Sequence, residues 1–134
     1  MIEVVNRQRR VKIATGAWAD FAAKALDAIG KSGSSATIAF VSDKRIRKLN
    51  QQFRSIDKAT DVLSFPSDES GNLGDVAVSL ETATTQAKEN GLTFDNEIAQ
   101  LILHGLLHLS GFDHETDNGE MNSLELKLRK KLKI

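Results

Sequence analysis

The chain has 134 residues, of which 40% are hydrophobic and 27% charged, with 18 Lys and Arg set against 18 Asp and Glu. That suffices for one domain over residues 1–134 with a core of its own, and it is too apolar for a disordered chain. The lack of cysteine excludes a disulfide framework, a thiolate nucleophile and a cysteine-based zinc knuckle, and the even charge balance gives no bulk sign of a nucleic-acid partner. No apolar run has the length of a signal-peptide core or a membrane span, so a cytoplasmic protein with no membrane contact is expected.

In chain order, IEVVN (2–6) reads as a short strand. TGAWADFAAKALDAIG follows with Trp18, Phe21, Ala22, Ala25, Leu26 and Ile29 at helical spacing, Thr15 as cap and Gly30 as stop. SATIAFVS (35–42) has the β-branched character of a buried strand, and DKRIRKLNQQF sets Ile46, Leu49 and Phe53 on one helical stripe behind Ser42. DVLSF (61–65) and LGDVAVS (73–79) are strands joined by the turn formers PSDESGN, which suits an antiparallel connection and makes the sheet mixed. Helices are predicted over 80–90, stopped by Gly91, over 96–110, stopped by Gly111, and from about Gly119 to Lys133 with Met121, Leu124, Leu128 and Leu132 as its stripe. The expected architecture is α+β: a single domain in which a mixed four-stranded sheet packs against about five helices. The helix at 96–110, apolar nearly all round, should be central.

All three histidines fall within HGLLHLSGFDH (104–114). On a helix His104 and His108 lie about 40° apart around the axis and roughly 6 Å along it, so both rings reach one ion. Gly111 lets the backbone turn left-handed and bring His114 back over the same face. Three imidazoles with solvent at the fourth position make the ligand set of a catalytic zinc, one ion per chain, although nickel, cobalt or copper suit the same donors. Gly105 weakens a helix of otherwise strong formers, which points to close packing or to room for substrate. The zinc-protease pattern H-E-x-x-H-x-x-G-x-x-H shares these histidines and the glycine, but Gly105 stands where that pattern has its water-activating glutamate, which disfavours a protease.

HGLLHLSGFDH matches every fixed position of H-G-x-L-H-L-x-G-[YF]-D-H, the signature of the YbeY family of bacterial rRNA maturation factors, and the chain resembles that family over nearly its whole length. LNQQFRSIDKATDVLSFP (49–66) is similar to the family's arginine-containing segment followed by a T-[DN]-V-L-S-F-P strand, and LGDVAVS (73–79) to its L-G-D strand; Ala59 departs from the proline of many members. The resemblance implies a zinc-dependent, single-strand-specific endoribonuclease of small-subunit rRNA 3′ end maturation and ribosome quality control. It implies His104, His108 and His114 as zinc ligands, His114 and Arg54 as catalytic residues, and single-stranded RNA, the small ribosomal subunit and assembly factors as partners. Arg54, read as lying in a loop after the helix, would orient the scissile phosphodiester beside the metal. The alternative is a ribosome-assembly factor whose metal is structural.

Four further sites have two readings each. Asp113 either orients a ligand imidazole or stabilises its turn. Asp75 suits a structural hydrogen-bond acceptor better than a catalytic group. RQRRVK (7–12) and KLRKKLK (127–133) are the candidate RNA patches, each equally readable as a solvated face.

Overall fold

The sheet is built where β-branched and aromatic residues alternate with small ones. β1 (Ile2–Asn6), β2 (Ser35–Val41), β3 (Val62–Pro66) and β4 (Asn72–Ser79) lie in the order β1-β2-β4-β3. β1 and β2 are parallel, as are β2 and β4, whereas β3 runs antiparallel to β4 and forms one edge. The mixed sheet expected from the turn formers is therefore present, and with α1 (Thr15–Ile29), α2 (Asp43–Arg54), α3 (Leu80–Asn90), α4 (Phe94–Leu109) and α5 (Glu120–Leu132) the fold is α+β. This computed structural model describes residues 1–113 and 115–134.

Strand alternation sends side chains to two cores. Ala36, Ile38, Phe40, Val76 and Val78 face the larger one, where they meet Ala22, Ala25 and Leu26 of α1 and the apolar residues of α4. The smaller core, on α2, holds Val41, Ile46, Leu63 and Ala77. α4 is the central helix, with Ile98, Ile102, Leu103, Leu106 and Leu107 all inaccessible to solvent. Among the described residues no helix is long and apolar enough to cross a membrane.

Two helix starts differ from the sequence reading, one of them because a better cap lies nearby. α1 begins at Thr15 itself, behind Ala14, which gives no side-chain cap. α4 begins two residues before Asn96, because Thr93 accepts a hydrogen bond from the Asn96 amide and serves as cap. α2 runs one residue further than DKRIRKLNQQF and ends on Arg54, with Ser55 in the left-handed region at φ 59°. Its start is tied to α3, since the Ser79 and Thr82 hydroxyls both donate to Asp43 Oδ1 at 2.5 and 2.6 Å, and the Asp43 amide donates to Glu81 Oε1.

Gly105 explains how α4 comes so near the sheet. A Cβ there would stand 2.6 and 3.0 Å from the two Val76 methyl carbons and 3.3 Å from Ser64 Oγ, and the Ser64 hydroxyl donates to the Gly105 carbonyl at 3.2 Å. Ser64 and Val76 are cross-strand partners, so α4 rests its one bare turn on a β3–β4 pair. Of the two readings of this glycine, close packing is the one found. Gly105→Ala should therefore destabilise the protein by about 1–3 kcal/mol, overpacking outweighing the roughly 1 kcal/mol gain in helix propensity. In urea titrations, Gly105→Ala and Val76→Ala should be coupled by at least about 0.5 kcal/mol, with the double variant more stable than the sum of the singles.

Candidate active site

α4 carries its two histidines out of the apolar core along one stripe, toward the edge where β3 ends the sheet. His104 and His108 are half-buried, their rings 4.7 Å apart between centroids and inclined at 75°. The two Nε2 atoms face one another at 3.1 Å. Two nitrogens bound tetrahedrally to one zinc at 2.0–2.1 Å would stand about 3.3 Å apart, so the pair already has the bite of a chelate. Among the described residues no group of three metal-binding side chains occurs. The third expected ligand, His114, lies outside the described residues.

The histidines open onto a cleft of about 580 Å³ whose walls include Arg54, Asp61, Ser64, His104, His108 and Asp113. β3 forms one wall, with Ser64 and Val62 turned into the cleft and Phe65 toward the α2 side. Arg54, expected in a loop, is the last residue of α2; its side chain is exposed and makes no ion pair with a described residue. What places it is the turn behind it. Asn50, 3% exposed, donates from Nδ2 to the Lys58 carbonyl at 2.9 Å, and its own carbonyl accepts from the Ile56 amide. Arg47 adds a bidentate contact to Asp57, and its hydrogen bond and then its charge hold the Asp57 carboxyl below the ordinary value.

The aspartates differ in their contacts, and the imidazole reading of Asp113 extends to His114, outside the described residues. Asp113 lines the cleft, but its Oδ1 accepts the Glu115 amide at 2.9 Å, the contact of a turn former. Asp75 is exposed on the α2 side of the sheet and its carboxylate accepts no hydrogen bond from a described residue, so the structural-acceptor expectation for that side chain is not met. Asp61 also lines the cleft and spends one oxygen on the Val62 amide at 2.7 Å. The position that holds glutamate in zinc proteases is filled here by Gly105 packed on Val76, which leaves no space for that side chain.

One residue that sequence reasoning passed over touches the histidines. Glu125 of α5 is 6% exposed in its side chain; Oε1 lies 2.8 Å from His104 Nδ1, and Oε2 accepts from Arg129 at 2.6 Å. Burial is the largest single influence on this carboxyl and raises its pKa, but the hydrogen bonds and charges of His104 and Arg129 together outweigh it, and the net shift is downward. Arg129 belongs to KLRKKLK, so that candidate RNA patch turns one of its cations inward. In RQRRVK, Arg10 pairs with Glu81 at 3.1 Å, while Gln8 bonds both the amide and the carbonyl of Val11. The signal for Glu125 was its spacing: four residues after Met121 and three before Leu128, it shares their buried stripe.

If Asn50 holds the turn behind Arg54, Asn50→Ala should cost about 1–3 kcal/mol, the penalty for stranding the Lys58 carbonyl. Amide hydrogen exchange should speed up over residues 55–60 while α4 keeps its protection; an unchanged loop would dismiss this role.

Known proteins resemble this chain in sequence and in fold. The sequence profile of the family described as endoribonuclease YbeY matches residues 3–133. Relatives described as endoribonuclease YbeY include one from Koribacter versatilis, 49% identical over 114 residues, which are 85% of this chain and 74% of the relative. Another, from Nautilia profundicola, is 53% identical over 94 residues, 69% of this chain and 68% of the relative. The solution structure of a protein from Thermotoga maritima superposes with a TM-score of 0.70 at 29% identity, covering 98% of this chain and 89% of that one.

Proposed function

The chain belongs to the endoribonuclease YbeY family, and from that membership we propose that it cleaves single-stranded RNA internally, in the cleft between α4 and β3, with a divalent cation held by His104, His108 and His114. As an endoribonuclease it is a hydrolase of RNA phosphodiester bonds. Zinc is the first choice of metal, since imidazole donors at this bite suit it and the chain offers no thiolate. The RNA proposed is ribosomal: a 3′ region of the small-subunit rRNA, met on the small subunit with its assembly factors in the cytoplasm.

One observation supports the reading above the rest: the exposed Arg54 and the paired Nε2 atoms line the same cleft from different elements. When bound, the cation supplies Lewis acidity at a phosphoryl oxygen and a nucleophile active near neutral pH. The residues of the chain supply placement. Arg54 carries five N–H donors in a planar cationic fork, which suits the paired oxygens of a phosphodiester. Because it makes no ion pair with a described residue, it can meet the phosphate without first breaking one. As negative charge grows on the phosphoryl oxygens, the guanidinium stabilises them from the α2 side, opposite the imidazoles. Ser64 and Val62 of β3 give the substrate a wall to lie along.

Arg54→Ala should lower kcat on a single-stranded RNA by about 10²–10³-fold, the usual loss for a donor that stabilises developing charge, while zinc affinity stays unchanged. His104→Ala should lose both zinc and cleavage. Chelation should abolish cleavage by the unaltered protein, and added zinc should restore it. Cleavage that survives chelation and both substitutions would come from another nuclease and would end this proposal.

A further inference from the structure

The Glu125–His104 contact joins α5 to α4 from the side of the imidazole that faces away from the cleft. His104 borders two cavities, the cleft and a second one of about 610 Å³ that also borders Glu125 and Arg129. Its Nε2 faces His108, and its Nδ1 faces Glu125. A neutral imidazole has one N–H and one lone pair, and an ionised carboxylate only accepts. The proton of His104 therefore sits on Nδ1, and the lone pair points from Nε2 toward His108.

Arg129 makes this arrangement rigid. It stands one turn after Glu125 and takes Oε2, leaving Oε1 for the histidine, so the carboxylate, itself only 6% exposed, is held at both oxygens. We infer that Glu125, pinned by Arg129, is a positioning residue that fixes the His104 tautomer and ring orientation and thereby sets the affinity of the metal centre. The inference rests on the reading that His104 and His108 bind a cation, and it adds a determinant from outside the HGLLHLSGFDH segment.

Glu125→Gln tests it with no change of shape. An amide has a single acceptor oxygen, and Arg129, which only donates, competes for it. The amide NH₂ then faces His104 and forces the lone pair onto Nδ1 and the proton onto Nε2, the form that cannot bind metal there. In the full chain, chelator competition should show zinc affinity falling by about 10–100-fold, the usual loss on removing such a partner. In the metal-free protein, ¹⁵N NMR should show His104 passing from the Nδ1–H to the Nε2–H form. Removing the competitor in Glu125→Gln/Arg129→Met frees the amide oxygen for His104 and should recover most of the affinity, whereas a purely structural tie between helices predicts a double variant weaker than either single one. Arg129→Met alone should stay within about threefold of the unaltered protein.

A Glu125→Gln protein with the original tautomer and zinc affinity would overturn the inference, as would a double variant no tighter than the single. If Glu125→Gln gives no cooperative thermal transition, the tautomer and affinity of the double variant decide. Unaltered protein that binds no zinc, or His104→Ala and His108→Ala variants that bind it undiminished, would instead remove the metal reading, and the tautomer in the metal-free chain would still judge Glu125.

Discussion

The contact on which the rest of this structure depends is the seating of Gly105 on Val76. A helix as apolar as α4 has to be buried, and a side chain of any size at position 105 would hold it away from the β3–β4 pair. With the backbone lying directly on the sheet, residues 104 and 108 fall on the flank of the helix beside the sheet edge. There they are half-buried and open to a cleft without lying under the core. Packing thus accounts for a glycine that helix propensity alone disfavours.

From that seating the polar groups divide into two sets. His104 is oriented by α5, through the buried Glu125 carboxylate and the Arg129 guanidinium behind it. The arginine is oriented by α2, through the Asp43 hub at one end of the helix and the Asn50 and Arg47 contacts at the other. Each set is anchored by buried or bidentate hydrogen bonds, the kind that hold geometry, while the reactive ends stay in solvent. The imidazoles stand on a helix and the arginine ends one, braced by the turn that follows, which is itself fastened at Asp57 and Lys58.

Much of this was legible in the sequence. The mixed sheet followed from two strands joined by PSDESGN, the central place of α4 from its unbroken apolar surface, and the histidine pair from its four-residue spacing, which sets both rings on one face. Boundaries slipped where a cap sat a few residues away, as with Thr93, or where a left-handed residue extended a helix, as with Ser55 after Arg54. Glu125 escaped for a different reason. Its place on the Met121–Leu128 stripe marks it as buried, but beside Arg129 at i, i+4 it has the spelling of an ordinary exposed helix pair, and its partner His104, 21 residues away, emerges only from the docking of α5. At Asp113 the structure supplies the turn contact, from the Glu115 amide, which is one of the two readings the sequence left open.

β3 bounds both the sheet and the cleft. Because among the described residues no further strand closes that side, a polymer could lie across it sideways, with both of its ends trailing free, and would not have to be threaded in from a terminus. Scission in the middle of a long molecule thus has a simple steric origin in where the sheet stops.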